Sequence, residues 1–242
     1  MKKLLALLCT LGIAQPAFAG NISNLSTLGQ AEFRTLSEDL GAALSYKPVT
    51  PAAPLGVVGF DVGLEVTQTD MAKSSALWNR ITTSTSKVDK LYIPKLHVAK
   101  GLPMGFDVAA FYSKIPTTNI SLYGAELRYA ILDGGVAEPA IGIRGAFTKL
   151  SGVSQLSLDT KSLDISISKG FAMFTPYAGV GQVWVSSSAN VAGAGGAALS
   201  QSFTQTKAFL GANLNLGISN LAAELDKTGG IQSVSLKLGF RF

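Results

Sequence analysis

Ile231-Gln-Ser-Val-Ser-Leu-Lys-Leu-Gly-Phe-Arg-Phe242 closes the chain and decides how the rest of it is read. From Val234 the alternation is strict. Val234, Leu236, Leu238, Phe240 and Phe242 share one parity, and Ser235, Lys237, Gly239 and Arg241 share the other. Successive side chains of a strand point to opposite faces, so this strand has an apolar face and a charged one. In a soluble sandwich the apolar face would meet a second sheet. Here the sequence stops on a large aromatic ring directly followed by a free carboxylate.

That ending, Lys237-Leu-Gly-Phe-Arg-Phe242, resembles the closing strand of single-chain bacterial outer-membrane β-barrels. The resemblance implies that Leu238, Phe240 and Phe242 form an assembly signal read by the barrel-assembly machinery. It also implies that the last strand pairs with the first.

The start of the chain agrees with an exported protein. Lys2 and Lys3 precede a short apolar core, Leu4 to Ile13, and Ala17-Phe18-Ala19 makes a small-x-small cleavage site, so residues 1–19 read as a signal peptide. The apolar core is too short to span a bilayer as a helix. Cys9 lies within it, with Leu8 where a lipoprotein box needs a small residue, so no lipid anchor is expected. The mature chain of roughly 223 residues then carries no cysteine, which excludes disulfide and thiol chemistry.

Composition narrows the class. Without Lys2 and Lys3 the formal charge falls from +5 to +3, and the surplus is scattered, without the basic stripe of a nucleic-acid binder. Mean hydropathy is +0.33 with only 14% charged residues, yet no run of 18 apolar residues occurs. A chain apolar on average but never continuously suits a barrel whose strands each present one face to lipid.

Residues 20–55 differ in character from the remainder of the chain. Thr27-Leu-Gly-Gln30 fits a capping box, and Phe33, Leu36, Leu40, Ala43 and Leu44 recur at helical spacing, predicting an amphipathic helix over 27–45. Lys47-Pro-Val-Thr-Pro-Ala-Ala-Pro-Leu55 comes next as a stiff extended connector. From Gly56 the period becomes two. Ten strands are predicted: 57–68, 89–100, 104–113, 119–132, 137–149, 155–168, 172–186, 201–215, 219–227 and 231–242. Ten is even, as single-chain bacterial barrels require, and most segments are long enough to cross a membrane at a tilt. With both barrel termini at the periplasm, the connections at Gly101–Pro103, Asp133–Val136, Lys169–Phe171 and Leu216–Ile218 are short periplasmic turns, while Thr69–Val88 and Ser187–Ser200 are long external loops.

The facing pattern supports this. Phe60, Val62, Leu64, Val66, Leu96, Val98, Leu127, Ile143, Leu163, Ile165, Leu210 and Leu225 take the lipid parity. The opposite parity carries a predicted lumen network: Asp61, Glu65, Lys95, His97, Glu126, Arg128, Glu138, Arg144, Lys237 and Arg241, with Asp107, Asp164, Lys207, Glu224 and Asp226 on the same side. Gln182 and Trp184 do not sort from Val183 and Val185, predicting a bulge in the seventh strand, and Pro94 predicts another. Aromatic residues gather toward strand ends: Tyr92, Tyr112, Phe147, Trp184 and Phe203 on the outer rim, and Phe60, Phe106, Tyr129, Phe174, Phe240 and Phe242 on the inner.

The sequence offers little catalytic chemistry. His97 is the one histidine, flanked in parity by Lys95 and Ala99, and reads as a hydrogen-bonded lumen residue. No metal site and no cofactor motif is found; the Gly193-Ala-Gly-Gly-Ala197 run lacks the strand-to-helix setting of a phosphate cradle. Leu77, Trp78 and Ile81 in the first external loop are expected to rest on the membrane surface or a neighbouring loop. Small inward residues such as Gly63, Ala99, Gly142 and Gly211 leave room for water, a small-molecule solute or the N-terminal helix. The expected fold is an all-β, antiparallel up-and-down transmembrane barrel, with the helix in the lumen or capping its periplasmic mouth. The expected function is non-enzymatic, either a narrow plugged conduit for small or apolar solutes or a structural barrel, in contact with outer-membrane lipid. The alternatives are an outer-membrane enzyme using His97, acting on lipid or peptide, and a surface binding protein using residues 71–81 or 189–198.

Overall fold

The computed structural model describes residues 25–71, 73–81, 89–115, 120–135, 137–190 and 198–242. The predicted signal peptide, the glycine run at 193–197, residues 191–197 of the second long loop and residues 82–88 of the first lie outside them. Helix α1 spans Gln30–Leu44 and a short helix α2 spans Ser75–Ile81. The strands are β1 (Phe60–Asp70), β2 (Lys90–Gly101), β3 (Phe106–Lys114), β4 (Ser121–Asp133), β5 (Ala140–Ser151), β6 (Leu156–Ser168), β7 (Phe174–Ala189), β8 (Leu199–Leu216), β9 (Ser219–Thr228) and β10 (Ile231–Arg241).

Each strand pairs antiparallel with its sequence neighbours, and β1 pairs with β10, closing the barrel. The seam runs from Asp61↔Arg241 to Thr69↔Ser233, and Phe60 and Phe242 exchange both backbone hydrogen bonds at its foot (2.6 and 3.0 Å). Closure leaves no sheet edge along the seam, which lipid could not solvate. The rim where β1 begins and β10 ends is called the lower rim below, and the opposite one the upper rim.

Parity sorts as the alternation predicts. Large apolar side chains line the outside, Leu64 at 68% exposure and Leu210 at 59%, while the inward charged residues of the strands are nearly all inaccessible. A monomeric soluble protein would not leave so many large apolar side chains on one continuous outer wall; the fold is that of a single-chain outer-membrane barrel.

Several local expectations are corrected. β1 starts at Phe60 rather than residue 57, because the chain turns at Gly56, whose carbonyl accepts the Gly59 N–H at 2.9 Å. β7 carries no bulge: its register with β6 and β8 is regular, and Val183 and Val185 face inward while Gln182 and Trp184 face out. Pro94 needs no bulge either, since Val66↔Pro94 keeps register and β3 pairs with β2 only from Leu96 on. The irregularity lies in β4 against β5, between Ala130 and Leu132, where Ile131 and Leu132 are both exposed. Phe203 turns inward and carries the Arg34 guanidinium 3.9 Å over its ring, so it is no part of an outer aromatic girdle.

Helix α1 also begins later than residue 27. Leu25–Thr27 forms a single 3-10 turn, Gly29 is the N-cap, and the Glu32 carboxylate accepts the Gly29 N–H at 3.0 Å. The acid three residues into the helix does the capping that Thr27 was expected to share.

Candidate functional site

The lumen holds the N-terminal segment along its length. α1 lies in the upper half with its first turn at the upper mouth, where the Gln30 amide donates to the Ser200 carbonyl at 2.7 Å. It descends past Ser37, whose hydroxyl meets that of Ser187 at 2.6 Å, to Leu44, whose carbonyl accepts from Thr148 at 2.8 Å. The helix therefore does not cap the lower mouth, the one expected to be periplasmic; the proline connector runs down to it.

The upper half of the lumen is apolar. Phe33, Leu36, Leu40 and Leu44 of α1 pack with inward Leu91, Ile93, Leu122, Leu158, Val183 and Val185. Gly41 is the point of closest approach: a Cβ there would stand 2.7 Å from a Val185 methyl. Trp78 and Ile81 of α2 join this cluster, both almost fully buried. The first loop thus folds over α1 rather than onto a membrane surface. Two polar contacts fix it. Asp39 accepts the Ser74 N–H (2.9 Å) and hydroxyl (2.6 Å), and Glu32 pairs with Arg80 at 2.6 Å. The Arg80 hydrogen bond, helped by the Gly29 N–H, holds the Glu32 carboxyl below its ordinary range, and Glu32 in turn raises Arg80.

The lower half is charged, and much of its charge is directed at the connector. The Lys207 ammonium donates to the Tyr46 carbonyl at 2.6 Å. Glu224 accepts the Val49 N–H at 3.0 Å, with the Tyr177 hydroxyl on the same oxygen at 3.1 Å. Arg128 donates to the Pro51 carbonyl at 2.5 Å. The Ser168 hydroxyl accepts the Ala52 N–H at 3.1 Å, and Asp107 the Leu55 N–H at 3.0 Å. Buried backbone groups need such partners, and an extended segment has none of its own. Pro48, Pro51 and Pro54 have no N–H to satisfy, so proline suits a strand-free path through a lumen. Gly142 lets the connector pass: a Cβ there would meet the Ala52 carbonyl at 3.3 Å.

The lumen charges also pair with one another. Lys237 contacts both Asp61 oxygens at 3.0 Å, Lys95 meets Glu65 at 2.6 Å, and Arg128 meets Asp107 through Nε at 3.0 Å. Arg144 joins Asp164 and lies 3.5 Å from Glu126. Arg241 stands opposite Asp61 at the lower rim, half-buried. Glu138 is the misplaced member of the predicted network. It sits exposed in the β4–β5 turn, where its carbonyl accepts from Lys169 at 3.1 Å, because β5 begins only at Ala140, after Pro139.

Tyr46 and Lys47, like Ser168 and Tyr177, escaped sequence reading. The Tyr46 hydroxyl lies 3.3 Å from His97 Nε2, and the Lys47 ammonium lies 2.6 Å from Asp226. A signal was present, since Lys47 is the one charge between Asp39 and Asp61. An isolated charge in a proline-rich apolar stretch calls for a buried partner. Tyr46 covers the His97 imidazole, so chemistry at His97 would require the segment to leave. Among the described residues no group of three His, Cys, Asp or Glu side chains is placed to hold a metal ion.

The barrel is similar to several solved structures. The N-terminal β-barrel domain of Pseudomonas aeruginosa OprF matches at 14% identity over 77% of this chain and 99% of that one, with a TM-score of 0.41. OprG from Pseudomonas aeruginosa matches at 9% identity over 80% and 99%, with a TM-score of 0.36. The translocator domain of the autotransporter NalP from Neisseria meningitidis matches at 10% identity over 88% and 95%, with a TM-score of 0.34. At such distances nothing about activity passes from them to this chain. No curated protein matches the sequence. A family described as of unknown function, DUF6588, matches residues 56–242, every strand of the barrel but not α1, and the chain belongs to that family.

Proposed function

We propose that the protein is a non-enzymatic integral barrel of the Gram-negative outer membrane, exported through a cleaved signal and closed by its own N-terminal segment. Small or apolar solutes would pass only when that segment shifts. The observation that carries the reading is the row of five backbone groups between Tyr46 and Leu55 held by Lys207, Glu224, Arg128, Ser168 and Asp107. A lumen evolved for an open aqueous path would leave those charges to water. The exposed apolar outer wall supports the membrane setting, and with the barrel termini at the periplasm the upper rim is external.

Val49 supports a segment that can be released. It is fully buried with φ +43°, a left-handed backbone that a β-branched residue rarely adopts. Such conformations cost on the order of 1–3 kcal/mol and persist only where surrounding contacts impose them. Strain at the middle of the connector lowers the cost of leaving the bound state.

The test is planar-bilayer conductance of the refolded mature protein, with and without residues 20–55. The closed-barrel reading expects a quiet intact protein and a conducting truncated one. Equal, steady conductance from both would show the segment to be a loose arm and sink the reading.

A further inference from the structure

The outer wall is not uniformly apolar. A groove of about 810 Å³ runs down it across β5 to β9. It lies where the wall steps down: β8 rises to Leu199, but β9 pairs with it only from Lys207 downward and ends at Thr228. The lower part of the groove is lined by Leu163, Ile165 and Val180, with Ala208 as a small residue opposite Val180. Trp184 stands at the upper end, and Lys227, beside Ala208 in register near the end of β9, has a stem long enough to carry its ammonium up toward it. Between the two levels Gln182 and Thr206 face each other across β7 and β8, both exposed on the outward parity. Two polar side chains below the tryptophan, on a face otherwise matched to hydrocarbon, are unexplained by lipid tails alone.

Among the described residues, Lys227 has no anion opposite it in register. Asp70 and Asp159, the outward acids of the upper wall, lie opposite Lys90 and Lys149 in register. Lys227 lies opposite Ala208 and Gln232, neither of them anionic. Lys73, whose charge also reaches the Asp39 carboxylate, adds a second ammonium, 3.6 Å from where a Cβ on Gly230 would stand at the same end of the groove. An apolar trough below, hydrogen-bonding groups at its neck and cations with an indole at its top make the profile of a single membrane lipid seen from the side.

We infer that this groove binds a phosphorylated glycolipid of the outer leaflet, one acyl chain lying along Leu163, Ile165 and Val180 and a headgroup phosphate on Lys227 and Lys73. Gln182 and Thr206 then hydrogen-bond the linkage between chain and sugar. The inference rests on the outer-membrane reading above, which sets the upper rim in the outer leaflet.

Native mass spectrometry of the mature barrel in dodecyl maltoside, with diphosphoryl lipid A as the probe, tests it. A one-to-one adduct is expected, weakened about tenfold by Lys227→Ala or by removing the lipid phosphates. Ala208→Phe, which fills the groove beside Val180, should remove it, and Lys149→Ala should leave it unchanged. Equal binding by Lys227→Ala, equal loss in Lys149→Ala, or equal affinity for phosphatidylglycerol would overturn the inference. A lipid-free dimer in place of the adduct would overturn it too and make the groove an interface between copies. Each sample is also run on a gel with and without boiling. A heat-dependent mobility shift without an adduct defeats the lipid site alone, whereas no shift in the wild type defeats the barrel reading itself.

Discussion

The Lys47 ammonium lies 2.6 Å from the Asp226 carboxylate, and both side chains are sealed from solvent. Lys47 also donates to the Ala42 carbonyl and the Ser45 hydroxyl, so one side chain ties the end of α1 to β9. Removing one member of such a pair strands the other charge and costs about 3–5 kcal/mol, whereas replacing both by apolar residues is often close to neutral. Lys47→Met should therefore release the segment to protease while leaving the barrel folded. Lys47→Met with Asp226→Leu should restore most of the protection, short of full recovery because Lys207 also lies 3.9 Å from Asp226. A double variant as labile as the single would mean the pair is incidental.

Gly41 tests the upper half in the same way. A methyl there meets both Val185 methyls, at 2.7 and 3.0 Å, and the Gln205 amide oxygen at 3.2 Å. Gly41→Ala gains helix propensity in isolation but overpacks the lumen, at a net cost of about 1–3 kcal/mol. Urea titration of protection at α1 should show the loss, and adding Val185→Ala should reverse it. If Gly41→Ala stabilises the segment, α1 is not seated against β7.

The path of the segment fixes which side each end reaches. Ser26, exposed beside α1, lies at the upper mouth, and Val58, 84% exposed, lies at the lower rim. Cys9, inside the predicted signal peptide, is the one cysteine of the sequence, so single cysteines placed elsewhere in a Cys9→Ser background report cleanly. On intact cells a membrane-impermeant maleimide should label Ser26→Cys and spare Val58→Cys until the outer membrane is opened. The reverse pattern would invert the topology.

The Glu32–Arg80 pair should make closure of the first loop sensitive to acid. Because the folded carboxyl titrates below its unfolded value, the contribution of Glu32 is complete above the ordinary carboxylate range and is lost as pH falls through the lowered value. Protease protection of α2 should thus differ between wild type and Glu32→Gln at neutral pH and converge in acid. A difference that persists unchanged in acid would assign the effect to helix capping geometry instead of charge.

The closing strand carries a separate prediction. Phe242 joins Phe60 through two backbone hydrogen bonds and a ring contact at 5.8 Å, a small part of a seam nine pairs long. Deleting Phe242 should leave refolding into detergent nearly intact yet sharply lower the amount assembled in cells, if the assembly machinery reads Leu238, Phe240 and Phe242. Equal loss in both assays would reduce the residue to a stability role.

The barrel was legible in the residue pattern. Parity is a local property, so alternation from Val234 to Phe242 and along eight of the other nine strands was enough to set strand number, facing and closure. Even Lys237 and Asp61, 176 residues apart in sequence, could be assigned to one interior from their parities alone. What the sequence left ambiguous was β7, and the reason is tertiary. Val183 and Val185 are inward yet apolar because α1 is packed against them, and no pattern within β7 announces a helix bound from elsewhere in the chain. Glu138 was misassigned for the opposite reason: it keeps the parity of β5 but precedes its first paired residue, and pairing depends on the neighbouring strand. The direction of the N-terminal segment was likewise invisible. An amphipathic helix with a proline tail fits either mouth, and only the contacts of Glu32 with Arg80 above and Leu55 with Asp107 below decide that it threads the lumen from the upper rim down.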